Sequence, residues 1–461
     1  MTADLARPQG SGRLLTPAML GIASGSVLVP LNSTMLAVAL PSVMDTFGVD
    51  AATVASLVTL YLAAVAIALP ASGNLGDRFG HRRTFLVGVV GFAGASLGAA
   101  VAPSFAVLAA ARVVQAVSGS LVSTSSTALI NAEAPPDRRG ATFGMFDLVT
   151  SVAAAIAPLL GGLVVTAFGW RGLFVLAVPV GAVALATIGW LAPPRSPAAD
   201  RPSGPARPLD VLGLGLLAVT LIALLLAIRG PLDGGIGSAS ALAVVPLAIL
   251  FVVVELGRDR PAVEPRLLAS APFAAALAGV FGMTVVLHGT FLVVPLLVER
   301  LQGGSPTTGG LALLGISALW ALAAPIGGRA SDRVGRRRPA VIGGVITAVA
   351  LAVLWQVAPD SSTLILAALL SVVGLGMGLS GSPRQTAALE TVPPERVGMA
   401  AGTYYTGRYL GGVVGASVAG AILGSAVTAD GVMAVFAVLT VAALGVTVAS
   451  LGLPSRARRA S

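Results

Sequence analysis

The chain has 461 residues, of which 56% are hydrophobic and only 10% charged, with a mean hydropathy of +0.93; a soluble domain carries roughly a quarter of its residues as charges, so the composition describes a polytopic membrane protein. The absence of cysteine excludes disulfides and thiolate metal sites, and two histidines, His81 and His288, leave little for a metal centre. A formal net charge of +9, carried by arginine alone, raises nucleic acid as a partner, and the placement of those arginines argues against it.

Fourteen apolar stretches are long enough to cross a hydrocarbon core of about 30 Å. They cover 15–40, 52–74, 84–102, 104–131, 141–167, 171–192, 210–228, 239–256, 272–298, 308–328, 339–358, 362–388, 399–425 and 432–453. The first is too long for a cleaved leader and carries Asn32, so it reads as a retained span. With a cytoplasmic N-terminus, most of the 28 arginines fall on the inner side; Arg171, Arg229 and Arg300 fall outside, and Arg112 and Arg408 lie within spans. This is the positive-inside pattern, which accounts for the charge through inner loops and anionic lipid headgroups and needs no nucleic acid.

Long inner connections fall at Pro193–Pro208 (PPRSPAADRPSGPARP), which reads as a flexible linker, and at Gly257–Pro272. They bracket two spans and leave six before and six after. The division is an N-terminal bundle 1–192, a linker region with two additional spans 193–271, and a C-terminal bundle 272–461. A glycine–charge cluster repeats across the bundles: Gly73-Asn-Leu-Gly-Asp77-Arg78-Phe-Gly80-His-Arg82-Arg83 and Gly328-Arg-Ala-Ser-Asp332-Arg333-Val-Gly335-Arg336-Arg337-Arg338. A second pair, Pro135-Pro136-Asp-Arg138-Arg-Gly140 and Pro393-Pro394-Glu-Arg396-Val-Gly398, repeats at nearly the same offset. Two landmarks in register mark an internal duplication, as in secondary transporters built of two similar halves.

The paired G-x-x-x-D-R-x-G-x-R-R segments resemble the inner-loop signature of the major facilitator superfamily, and the 6 + 2 + 6 plan resembles its fourteen-helix drug:proton antiporter branch. Further resemblances lie in Leu31-Asn32-Ser-Thr34 through Val38-Ala39-Leu40-Pro41 of span one, Arg112-Val-Val-Gln115-Ala-Val-Ser-Gly119 of span four, and Ala157-Pro158-Leu-Leu-Gly161-Gly162 of span five. Gly169-Trp170-Arg171 before span six completes the series. The resemblance implies an all-helical transporter that alternates access between the two sides of the inner cell membrane. It further implies both termini in the cytoplasm, a monomer, no cofactor, and export of a hydrophobic small molecule in exchange for protons. Span one departs from the pattern: Asn32 stands where the resembled antiporters usually carry aspartate and takes up no proton, which leaves a facilitator or symporter as the alternative.

The residues suggest roles of their own. In the repeated segments Gly73, Gly80, Gly328 and Gly335 allow tight turns, while Asp77, Arg78, Arg82, Asp332, Arg333 and Arg336 supply charges that either latch an inner gate or hold topology. In span five the small Gly161 and Gly162 favour close helix contact and Pro158 invites a bend. Charges within spans are costly and mark sites. Arg112 is expected to line a polar cavity with Asn32 and Gln115, and Arg408 to do so with Tyr404, Tyr405 and Tyr409, whose rings either stack on substrate or simply pack. Asp147, the acidic residue well inside a span, is expected to replace the missing aspartate as partner of Arg112 and as proton carrier; His288 is either a proton acceptor or a hydrogen-bonded structural residue. An interior bias of +1 favours neutral or anionic cargo over lipophilic cations. No paired carboxylates, nucleophile with base or metal set lies in the spans, so an enzyme is not expected, and no G-x-x-x-x-G-K-[ST] loop provides for a nucleotide-driven pump.

Overall fold

The computed structural model describes residues 17–133, 139–188, 210–229, 236–258, 261, 263–393 and 396–455. The linker 193–208 and the 135–138 landmark lie outside the described residues. Among the described residues all regular structure is helical, and 12 helical segments are long and apolar enough to cross a membrane.

In chain order the helices are α1 (Pro17–Met35), α2 (Leu40–Phe47), α3 (Ala51–Phe79), α4 (His81–Ala100), α5 (Phe105–Glu133), α6 (Arg139–Ala186) and α7 (Val211–Arg229), followed by α8 (Ile236–Leu256), α9 (Ala271–Leu296), α10 (Pro306–Val334), α11 (Arg337–Val357), α12 (Thr363–Leu389), α13 (Val397–Leu423) and α14 (Ala429–Ser450). A single 3-10 turn, Leu36–Ala39, joins α1 to α2, so span one runs on to Phe47 and stops at Gly48, whose φ of 63° ends the helix. Only helix satisfies every backbone group locally in lipid.

The glycine–charge segments are helix ends rather than loops. Gly73, Asp77 and Arg78 belong to α3, and Gly328, Asp332 and Arg333 belong to α10; each helix stops at one glycine, Gly80 (φ 91°) or Gly335 (φ 86°). One residue with positive φ is enough to turn the chain, so the other glycines of the motif stay helical. α6 likewise passes Pro158 with helical backbone angles and breaks at Gly169 (φ 70°, ψ 176°). Gly169 is the turn between the expected spans five and six, and a glycine alone adopts that geometry without a Cβ clash.

Helices α1–α6 pack on one another, as do α9–α14, and the two groups meet along α6 with α10 and α3 with α13. The paired helices α7 and α8 reach the rest of the molecule chiefly through α7, which leans on α3 and α13. Small residues make the inter-group contacts. Gly162 backs onto Pro306 and Thr307, Gly310 onto the Pro158 carbonyl, and Gly420 onto Ala51 and Ala55. All lie toward the helix ends remote from Gly80 and Gly335. Toward the arginine-rich ends, a Cβ built at Gly73, Gly144, Gly398 or Gly402 meets nothing. The glycine-to-backbone contacts between the two groups thus cluster on one face, the closed face, and none is made at these positions on the other, the open face.

Candidate functional site

A buried polar network crosses the first helix group. Arg112, on α5 and 1% exposed, donates from Nη1 to Asn32 Oδ1 of α1 at 2.5 Å and to Gln115 Oε1 at 2.9 Å. Gln115 Nε2 passes the chain on to Ser96 Oγ of α4 at 2.7 Å, and Ser96 donates to the Phe92 carbonyl at 2.7 Å. The guanidinium lies 4.1 Å from the centre of the Tyr61 ring on α3, a cation–π contact that supplies partial negative charge without a carboxylate. Arg112 Nε and the Tyr61 hydroxyl are buried without partners. Four helices are thus tied to a cation held by neutral groups.

This placement corrects two expectations. Asn32, Arg112 and Gln115 do not line an open cavity: they are 4%, 1% and 0% exposed, enclosed within their own helix group. Nor does Asp147 pair with Arg112, because Asp147 is exposed and Arg112 takes Asn32 instead. Arg112 sits near the closed face, seven residues into α5, and Asp147 near the open one, eight residues into α6. At 1.5 Å per residue the two differ in depth by about 19 Å. Asp147 shares a helix face with Pro158, eleven residues or three turns away, which contacts α10; it therefore faces the gap between the groups on the open side.

In the second group Arg408 is partly exposed on α13, and its carbonyl accepts from Thr284 Oγ1 of α9 at 2.7 Å. Tyr405, also partly exposed, receives a hydrogen bond on its hydroxyl from Gln385 of α12 at 3.2 Å. Tyr404 meets the Tyr405 ring edge-on at 6.0 Å but is 4% exposed, packed in the apolar core with Phe273 and Ala276. It is a packing residue, not a cavity residue. Tyr409 packs toward Tyr61, Leu217 and Leu221 of α3 and α7. His288 is bonded through Nδ1 to the Thr284 carbonyl at 3.0 Å and lies against Gly412, at the junction of α9, α13 and α3. A further arginine, Arg384, stands on α12 toward the arginine-rich end of the second group. The structure buries it at 1% exposure, with Nε 3.4 Å from Ser450 Oγ, Gly279 making room for its stem and Nη2 unpartnered.

The two glycine–charge segments are not equivalent. Arg336 Nη1 donates to Asp332 Oδ1 and Ser331 Oγ, each at 2.7 Å, and its Nη2 donates to Glu390 Oε1 of α12 at 2.6 Å. The hydrogen bond it donates to Glu390, then that to Asp332, holds its guanidinium above the ordinary arginine range against the cost of burial. In the first copy Asp77 meets His81 at 3.3 Å instead, and Arg82 Nη2 donates to the Ile188 carbonyl at 2.7 Å. Arg78 and Arg333 are exposed.

The closed face carries polar contacts that sequence reasoning missed. Thr307 Oγ1 donates to the Gly162 carbonyl at 3.2 Å and lies 2.8 Å from Thr166 Oγ1. Arg300, at the π-helical turn Leu297–Leu301 that extends α9, donates from Nη2 to Asp45 Oδ1 at 2.6 Å and to the Pro41 carbonyl at 3.0 Å. The available signal was its position among the few arginines of the sparsely charged face. A separate apolar cleft of about 400 Å³ between α1 and α6, lined by Leu20, Met145 and Val183, bears no such chemistry.

Comparison with known proteins accords with this architecture. The chain is 30% identical over 406 residues to the tetracenomycin C resistance and export protein of Streptomyces glaucescens, covering 87% of this chain and 74% of that protein. It is 30% identical over 409 residues to the multidrug resistance protein Stp of Mycobacterium tuberculosis, with the same coverage. Its fold is similar to that of a peptide transporter solved with sulfate, with a TM-score of 0.72 over 94% of this chain and 93% of that one at 17% identity. The Major Facilitator Superfamily model matches residues 22–319 and 281–461, and the chain, a membrane transporter and not an enzyme, belongs to that superfamily.

Proposed function

We propose that this protein is a secondary active exporter of hydrophobic, neutral or anionic drug-like small molecules, driven by protons and working by alternating access. The observation that carries the reading is the one-sided closure: glycine-to-backbone contacts at Gly162, Gly310 and Gly420 on one face, open space at Gly73, Gly144, Gly398 and Gly402 on the other. Helix pairs that touch through small residues can rock without repacking long side chains. The names of its relatives, resistance and export proteins, support cargo of drug type and the outward direction.

On this reading the arginine-rich face is cytoplasmic, the protein sits as a monomer in the inner membrane with both termini inside, and the state described is open inward. The helices make fourteen crossings, because α6 is long enough for two and breaks at Gly169, and the 27-residue α13 spans as well. The six-helix bundles extend over 1–192 and 272–461, with α7 and α8 inserted between them. Gly80 and Gly335 set the turns of the inner gate, with Asp77, Asp332 and Arg336 as its latch. Asp147, exposed to the inward cleft, is the proton carrier, and Arg408 and Tyr405 contact cargo. Arg112 and Arg384, buried beside neutral partners, bias the interior positive and disfavour lipophilic cations.

The neutral acceptors around Arg112 also favour a second reading, a facilitator or symporter without antiport at span one. Transport in proteoliposomes under an imposed pH gradient separates the two. Antiport requires uphill export in the wild type that disappears in Asp147→Asn; gradient-independent flux in both proteins would establish the facilitator.

A further inference from the structure

The closed face holds one carboxylate that the transport reading leaves unused. Glu299 precedes Arg300 on the π-helical turn that ends span nine, and its Oε1 is fully buried without a hydrogen-bond partner. Three residues on, Gln302 is anchored through Nε2 to the Ser361 and Ala358 carbonyls at 2.9 and 3.3 Å, and its own Oε1 is a second buried acceptor without a donor. The turn thus presents two orphaned acceptors beside the ion pair that bridges the helix groups from Arg300 to Asp45. The charges acting on it are Arg300 and Asp45, which are already paired with each other.

We infer that Glu299 is a proton-dependent element of the closed face: it carries a proton when the face is sealed and loses it when the face opens. The inference rests on the alternating-access reading and adds a titratable group to the gate. An ionised carboxylate with a buried oxygen and no donor is disfavoured, and it competes with Asp45 for Arg300. Protonation removes both conflicts. The protonated carboxyl is neutral and can itself donate, and Arg300 is left to Asp45 and the Pro41 carbonyl. Opening the face brings water to the turn, and the proton passes to that water. It is taken from and returned to the same side, so Glu299 sets the ratio of sealed to open molecules rather than carrying the transported proton. Acid on that side therefore favours sealing, the direction that returns an emptied exporter to its inward-open state.

The chain has no cysteine, so a single Ser56→Cys, at a 7% exposed position on α3 near the closed face, reports opening. The full-length protein in right-side-out vesicles is labelled with a membrane-impermeant maleimide over a range of external pH with the internal pH fixed. The same reporter in Glu299→Gln corrects for the thiol's own ionisation. Relative to Glu299→Gln, labelling of the Ser56→Cys protein is expected to fall on acidification by up to about tenfold per pH unit, the limit for one linked proton. Glu299→Asp is expected to retain the dependence, and Arg300→Gln to label strongly at every pH. Identical profiles for the Ser56→Cys protein with and without Glu299→Gln, including absence of labelling throughout, overturn the inference. Drug flux measured in the same vesicles tests the transport reading separately: absent flux with pH-dependent labelling would remove the exporter and leave the gate.

Discussion

Substitution of Asn32 tests the neutral-acceptor network most directly. Arg112 is almost fully buried, and its Nη1 is shared between Asn32 at 2.5 Å and Gln115 at 2.9 Å. A hydrogen bond to a charged group contributes about 1.5–3 kcal/mol net, so Asn32→Ala, which leaves one acceptor for a buried cation, is expected to cost about 2 kcal/mol. Asn32→Asp places an anion beside the guanidinium: unit charges 4 Å apart attract by about 4 kcal/mol at an effective dielectric near 20. Dehydrating the new carboxylate takes back several kcal/mol. Because the cation is already buried and its cost already met, the balance of these two effects favours the pair by about 1–2 kcal/mol. The expected order of thermal midpoints in detergent at pH 7 is Ala below Asn below Asp. An alanine variant with the wild-type midpoint, or an aspartate variant below it, would refute the assignment of Asn32 as the acceptor for Arg112.

Other substitutions address the gate and the cleft. Gly162→Leu forces a side chain into the Pro306–Thr307 backbone; it should hold the closed face apart and raise maleimide labelling of Ser56→Cys severalfold, and unchanged labelling would show that this contact is not part of the seal. Arg336→Gln loses charged hydrogen bonds to Asp332 and Glu390, with an expected cost of about 1–3 kcal/mol, the lower end reflecting the exposure of Asp332; an unshifted thermal midpoint argues against a structural latch. Asp147→Asn removes an exposed carboxylate from the cleft and should leave the midpoint in place while abolishing gradient-driven export, so retained uphill transport eliminates Asp147 as carrier. In a competition panel, neutral and acidic amphipaths should displace a transported substrate better than quaternary ammonium dyes; the reverse order would contradict a positive interior.

How much was legible in the sequence depends on the range of the interaction. Apolar stretches, the arginine asymmetry and the repeated Gly73 and Gly328 segments determined a helical membrane transporter, because bilayer thickness and backbone satisfaction act on each segment alone. The stop at Gly80 and the break at Gly169 are also local, though only the folded backbone shows that Gly73 and Pro158 remain helical. Pairing was not legible. A buried guanidinium takes whatever acceptor the helix packing brings within reach, and no residue type announces that Arg112 reaches Asn32 on α1 and not Asp147 on α6. The closed face, with Arg300 against Asp45 and Glu299 beside them, joins residues some 255 positions apart in sequence. Only the docking of one helix group on the other decides that they meet.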